Sequence, residues 1–247
     1  MNEKQPASLY ETVFSKLLKR TKQFAPKHRF KFSGKLYLLD ATVIDLCLSV
    51  FPWARFRQAK GAIKLHVGLD GNGYLPEFMN LTDGKTHEIN WAKTLKLPRG
   101  SMAVFDMGFT DFAWYQTLMN NGVYFVTRLK SNARIKHLHK RPGRKAAGVS
   151  VDQTILLGSI PTPLRMVCYL DPETGKEYRF LTNADHLDAK TITDLYKERW
   201  QIELFFKWIK QNLKIKTFLG TSSNAVLTQV WIALIVYLLL AFLKFSA

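Results

Sequence analysis

Residues 196–210 read YKERWQIELFFKWIK, with Glu203 in the middle set among Arg199, Lys207 and Lys210, and Glu198 the other carboxylate of the stretch. Apolar residues recur at three- and four-residue intervals, which predicts a helix. On such a helix Tyr196, Arg199, Glu203 and Lys210 share one face, within about 60° of arc. Leu195, Ile202, Phe206, Ile209 and Leu213 form an apolar stripe beside that face. Burial of the stripe would fix where Glu203 points. A lone acid on a basic face calls for a partner that needs carboxylate oxygens, and the surrounding cations call for an anion.

The stretches leading to this helix alternate between strand and helix patterns. LYLLD (36–40) is a short apolar run ending in an acid, the pattern of a buried strand that delivers Asp40 at its edge. Residues 62–70 and 75–82 predict two further strands joined through Gly71, Asn72 and Gly73, a hairpin signal. A helix follows over 87–97, stopped by Pro98 and Gly100. SMAVFD (101–106) is a second apolar strand ending in an acid, Asp106; then come a helix closed by Asn121 and Gly122 and a strand over 123–130. TILLGS, RMVCYLD and EYRFLTN predict strands with a turn at 171–176, an all-β insertion, before one long helix from about 191 to 213. The fold class is α/β, organised as a basic segment (1–35), a first core part (36–130), the β-rich insertion (131–185) and a second core part (186–247).

Asp40, Asp106 and Glu203 together have the chemistry of a divalent-metal site. Hard cations such as Mg²⁺, for which Mn²⁺ can substitute, take a few carboxylates plus water and phosphate oxygens. Three converging carboxylates repel one another without a cation, and two ions can serve an in-line displacement at phosphorus. Arg199 suits bidentate phosphate contact, and Lys207 and Lys210 act as point charges. Arg128 and Lys130, at the end of the strand over 123–130, extend the candidate DNA contacts. Asp45, Asp70, Asp111 and Glu198 compete as ligands, but Asp45 is expected beyond the strand end, Asp70 and Asp111 in turn or cap contexts, and Glu198 off the signature face.

The spacing Tyr196, Arg199, Glu203, Lys210 resembles the YREK signature of bacterial insertion-sequence transposases of the DDE type, the insertion-sequence-four group. LLDATVIDL around Asp40, KGAIKLHVGLD, VFDMGFTDF around Asp106 and YFVTRLKSN are similar as well, so the likeness runs from about residue 36 to 218. The resemblance implies an RNase H-like mixed sheet flanked by helices, with the β insertion between the second Asp and the Glu. It places Asp40 on the first strand, Asp106 just after the fourth, and Glu203 on a later helix. It also implies metal-dependent cleavage at transposon ends, strand transfer into target DNA, a homodimer on paired ends, and DNA contacts by Tyr196, Arg199 and Lys210. Only about 35 residues precede the first catalytic strand, fewer than in fuller members, so independent recognition of transposon ends is not expected. A truncated or decayed copy that binds DNA without catalysis is the alternative.

Bulk composition agrees with a nucleic-acid partner. The 247 residues carry a formal net charge of +17, with 47% hydrophobic and 22% charged residues. That excess draws polyanions, DNA first and an anionic membrane surface second, and argues against a small-molecule substrate. Residues 14–35 hold eight Lys or Arg and no acid, read equally as a solvated helix face with a linker or as a DNA-contacting arm. Residues 130–145 hold seven, a candidate DNA path or a solvated loop, with His137 and His139 lacking a third ligand. His66 suits a hydrogen-bonded core position, and Trp200 either stacks on a base or packs on the insertion. Cys47 and Cys168 read as buried thiols of a reducing compartment. The start MNEKQPASLYETVF has no apolar leader core, and a cytoplasmic, nucleoid-associated bacterial protein is expected. Fourteen apolar residues at 230–243 predict a core helix rather than a membrane span.

Overall fold

The computed structural model describes residues 5–46, 49, 51–57, 60–141, 147–212 and 220–247. Cys47, Arg144, Lys145 and Leu213, singled out in the sequence, lie outside the described residues. In chain order the elements are α1 (Ala7–Thr21), β1 (Leu36–Leu46), β2 (Arg55–Arg57), β3 (Lys60–Asp70), β4 (Leu75–Asp83), α2 (Glu88–Ala92), β5 (Met102–Phe105) and α3 (Phe112–Asn120). There follow β6 (Tyr124–Arg128), β7 (Ile135–Lys140), β8 (Val149–Leu157), β9 (Leu164–Leu170), β10 (Glu177–Thr182), α4 (Ala189–Glu198), α5 (Trp200–Asn212) and α6 (Ser223–Ser246).

These elements fall into two compact units: Met1–Arg29 with Asp40–His87 and Gln201–Ala247, and Phe30–Leu39 with Glu88–Trp200. In the first unit the strand order is β2-β3-β1, and β4 also pairs with β3 in an antiparallel hairpin from Asp70↔Leu75 to Ile63↔Asp83. In the second it is β1-β5-β6-β10-β9-β8-β7. There β1 runs parallel to β5, from Leu36↔Met102 to Leu39↔Phe105, and β5 runs parallel to β6. The remaining pairs, β6 with β10, β10 with β9, β9 with β8 and β8 with β7, are antiparallel. Omitting the three-residue β2, Asp40 lies on the first strand and Asp106 just after the fourth, the RNase H-like mixed α/β pattern.

The parallel-paired segments of β1, β5 and β6 are largely buried. Leu36, Leu38, Leu39, Ala103, Val104, Phe105 and Val126 are at most 0% exposed, the near-continuous apolar reading of parallel strands. Phe105 anchors an aromatic cluster, 4.8 Å from the Trp114 ring, 5.8 Å from Phe109 and 6.0 Å from Phe125. Burying each such ring contributes about 1.5–3 kcal/mol, so the chain entering and leaving Asp106 is held at both Phe105 and Phe109.

Several elements differ from the sequence reading. β1 does not stop at Asp40; it continues to Leu46 because Thr42, Val43 and Ile44 keep β-branched strand character. Asp40 therefore marks the point where β1 passes from full burial to alternating burial. Asp45 is also still in the strand, exposed and an odd number of residues away, hence on the other face. The long helix at 191–213 is two helices, since Arg199 ends α4 with its N–H bonded to Tyr196 O at 3.2 Å, a tightened i to i−3 turn. The helix at 87–97 shortens to α2, and the Thr94 hydroxyl bonds back to Trp91 O at 2.7 Å. Part of the basic stretch read as a loop is β7, an exposed edge strand whose lysines blunt further pairing.

In the first unit α1 packs along α6, with the Phe14 and Trp231 rings 5.0 Å apart and Phe24 edge-on to Phe242 at 5.5 Å. The basic residues of α1 thus ride on a docked helix whose Phe14 and Leu18 are buried. α6 is long and apolar enough to cross a membrane by length and composition. It buries Val226, Val230, Trp231, Leu234 and Leu238, and leaves Val236, Leu239, Leu240 and Leu243 exposed.

Candidate active site

In the first unit Asp40 and Glu203 line one open cleft of about 530 Å³ together with Ala41, Thr42, Phe206, Lys207, Lys210 and Gln211. Glu203 gets there because α5 buries Ile202, Phe205, Phe206 and Ile209, which turns the intervening residues outward. It sits in the first turn of α5, where the positive end of the helix dipole favours a carboxylate. Asp40 Oδ1 accepts the N–H of Ala41 at 2.8 Å. Lys207 and Lys210 are exposed at the same cleft. Two acids and two cations that the sequence scatters over some 170 residues thus share a single surface.

The second unit holds Asp106. Its Oδ1 accepts the N–H of Gly108 at 2.8 Å, capping a 3-10 turn over Met107–Phe109. The Thr127 hydroxyl on β6 donates to the Asp106 backbone oxygen at 3.2 Å. A Cβ at Gly108 would stand 2.9 Å from Asp106 Oδ1, so glycine leaves the carboxylate its room. Burial pushes the nearby Tyr115 hydroxyl up to about 12, with the charges of Asp106 and Asp111 adding to the effect.

The same unit contains an aromatic and basic cleft of about 420 Å³ lined by Arg128, Tyr178, Tyr196, Lys197, Arg199 and Trp200, among others. Tyr196 packs on Phe180 at 4.7 Å between ring centroids, and the Arg199 guanidinium lies 5.6 Å from the Tyr196 ring centre. Burial raises the Tyr196 hydroxyl above its usual range; Arg199 and Arg128 pull it down, and Asp106 pushes it up. The hydroxyl therefore stays protonated at neutral pH, within the field of one acid and two guanidiniums. Arg128 sits over Tyr178 at 5.0 Å.

The predicted residues divide accordingly. Asp40, Glu203, Lys207 and Lys210 come together, as do Arg128, Tyr196 and Arg199. Lys130 is exposed and lines neither cleft; its carbonyl accepts from Arg179 at 3.1 Å. Trp200 is 57% exposed and lines the second cleft together with Tyr169, Tyr178 and Phe180 of the insertion. Lys197 was missed, because it falls outside the Y-x2-R-x3-E-x6-K spacing. It donates to the Tyr169 hydroxyl at 3.0 Å, which raises its own titration. The competing acids are occupied locally: Asp70 Oδ1 accepts Asn72 N–H, and Asp111 caps α3 and pairs with Lys93 at 2.5 Å. Glu198 is buried. His137 meets Gln153 at 2.7 Å, and His66 meets Thr82 at 2.9 Å, both strand-to-strand contacts. Among the described residues no three His, Cys, Asp or Glu side chains stand together as a ready-made ion site. The pair of carboxylates in the first cleft has the hard-oxygen chemistry that suits Mg²⁺ or Mn²⁺.

Residues 31–239 match the family described as the transposase DDE domain. A transposase of Sinorhizobium fredii, y4zB, is 33% identical over 97% of this chain and 68% of its own length. The transposase described for insertion sequence element IS5377 of Geobacillus stearothermophilus is 29% identical over 95% of this chain and 62% of its own length. One for IS4SA of a Synechocystis species is 26% identical over 94% and 67%. The chain spans about two thirds of the length of these relatives. A piggyBac transposase synaptic complex with hairpin DNA is similar with a TM-score of 0.49 and 14% identity, over 81% of this chain and 45% of that one.

Proposed function

We propose that this chain, which belongs to the transposase DDE domain family, is a DNA transposase catalytic domain that cleaves phosphodiesters at transposon ends and joins those ends to target DNA. Asp40, Asp106 and Glu203 are its metal-holding acids. The observation that carries the reading is a register: β1 and β5 pair in parallel up to Leu39 and Phe105, and the residue that follows each of these in the chain is an aspartate. Glu203 lining the same cleft as Asp40 supplies the third.

In the first reaction a water oxygen displaces a 3′-oxygen at phosphorus, leaving a 3′-hydroxyl and a 5′-phosphate; in the second that 3′-hydroxyl displaces a 3′-oxygen of the target. Mg²⁺, with Mn²⁺ as substitute, supplies Lewis-acid charge for the attacking and leaving oxygens, and a pair of ions is the arrangement such displacements use. The chain's own residues do the positioning. Lys207 and Lys210 hold phosphates flanking the acids as point charges, while Arg199 and Arg128 take phosphate oxygens in bidentate fashion. Tyr196, protonated at neutral pH, donates a hydrogen bond to a phosphate. Lys197 and Lys130 add charge along the DNA path. A homodimer on two ends, acting in the cytoplasm on nucleoid DNA, completes the proposal.

The test is cleavage and joining of a supercoiled plasmid carrying the terminal inverted repeats. With Mg²⁺ the unaltered chain produces nicked and joined products, while Glu203→Gln lowers the rate by about 10³-fold or more with DNA affinity retained. Equal rates for the two proteins would remove Glu203 from the chemistry. Metal-independent binding without any product would instead leave a DNA-binding protein devoid of catalysis.

A further inference from the structure

The first unit has a second groove, of about 510 Å³, whose lining includes Lys27, His28, Arg29 and Lys244 together with Tyr74, Trp208, Tyr237 and Phe245. Among the described residues no acidic side chain lines it. Trp208 lies five residues beyond Glu203 on α5, about 140° around the helix, so the groove is on the side of α5 away from the Asp40 and Glu203 cleft.

The groove is built rather than incidental. The His28 N–H donates to Asn72 Oδ1 at 2.9 Å, tying residues 26–29 to the turn between β3 and β4. That turn is held on α6: the Tyr237 hydroxyl donates to Tyr74 O at 3.1 Å, and a Cβ at Gly73 would stand 2.9 Å from the Phe245 ring. Gly73 adopts φ +68°, and Tyr74 adopts φ 54°, a left-handed conformation that costs a residue bearing a side chain about 1 kcal/mol or more. Tyr237 is braced edge-on by Phe205 at 4.9 Å and by Trp208 at 5.2 Å. Burial raises its hydroxyl to about 12. Strain, close packing and four separate chain segments thus hold an aromatic floor beneath exposed cations.

We propose that this groove is a binding site for unpaired, single-stranded DNA, a second nucleic-acid site distinct from the two clefts above. Its choice of ligand rests on the reading of this chain as a DNA transposase. Single strands are bound where a cationic groove tracks phosphates and aromatic rings take base faces. A duplex keeps its base faces stacked inside, so it would use the cations and leave Trp208 and Tyr74 idle. An acidic protein segment would likewise have no use for the aromatic floor. Lys27, Arg29 and Lys244 contact phosphates, and the half-buried Trp208 offers a ring to a base.

The test is fluorescence anisotropy of the full chain with a labelled oligothymidylate of about 15 nucleotides, across a KCl series. K27A/R29A/K244A removes three exposed cations; it weakens binding about tenfold or more and lowers the slope of log K against log salt by about 2. Trp208→Leu weakens binding about fivefold or more with the slope unchanged. An unaltered affinity in the triple variant overturns the site. So does equal loss on a duplex of the same length, or polyglutamate binding that depends equally on Trp208. Glu203→Gln retains oligonucleotide binding. If the unaltered chain fails to cleave inverted repeats yet the triple variant loses the oligonucleotide, the catalytic reading falls and the groove stands.

Discussion

Replacing Gly108 with alanine tests whether the turn after β5 serves the Asp106 carboxylate. The new Cβ would meet Asp106 Oδ1 at 2.9 Å, whereas ordinary contact begins at 3.4 Å, so the carboxylate must yield by about 0.5 Å. Phe105 and Phe109 on either side are 0% exposed, so the backbone has little freedom to absorb the shift. The stability terms nearly cancel. Weakening the 2.8 Å bond from Gly108 N–H costs about 1 kcal/mol, and the stiffer unfolded chain returns about 0.4–1 kcal/mol. A chain of this size then changes its Tm by no more than about 4 °C. Catalysis is less tolerant, because a misplacement of about 1 Å costs about 10²-fold, and half that distance implies about tenfold. Mg²⁺-dependent nicking of an inverted-repeat plasmid, measured beside thermal unfolding, separates the two. A variant that unfolds normally and nicks at the unaltered rate would refute the link between this turn and the reaction.

Three further outcomes follow from the same structure. Arg165 is 3% exposed, bonds Asp152 at 2.9 and 2.8 Å and reaches Leu187 O at 2.5 Å, so Arg165→Met leaves a poorly matched carboxylate and costs about 3–5 kcal/mol in urea unfolding. Adding Asp152→Leu recovers part of that loss. Burial pushes Asp111 up, but the Lys93 hydrogen bond and the Trp114 N–H outweigh it, and its folded titration lies below the usual 3.8. The stability it confers is present above the unfolded value and disappears as pH falls through the folded one. Asp111→Asn therefore costs about 1 kcal/mol at pH 7, and its gap from the unaltered chain narrows in acid unfolding as pH drops below about 4. Lys197→Met weakens binding to all DNA sequences alike and lowers the salt slope by about 1, measured by anisotropy on a duplex.

What the sequence alone determined were local properties. The +17 charge names a polyanion, the 3.6-residue period orients Glu203 with Lys207 and Lys210, and buried runs such as Leu36–Leu39 announce parallel strands. Each depends on neighbours within a turn or a strand, so each is written in the chain. The tertiary structure decided what depends on distant partners. It broke the predicted helix at Arg199, dividing the signature between α4 and α5, and carried β1 past Asp40 as far as Leu46. It brought Lys197 to Tyr169, whose hydroxyl is 28 residues away, and set Lys27 and Lys244 around one aromatic groove. Such neighbours arise from pairing and packing between segments far apart in the chain, and no local period encodes which segments those are.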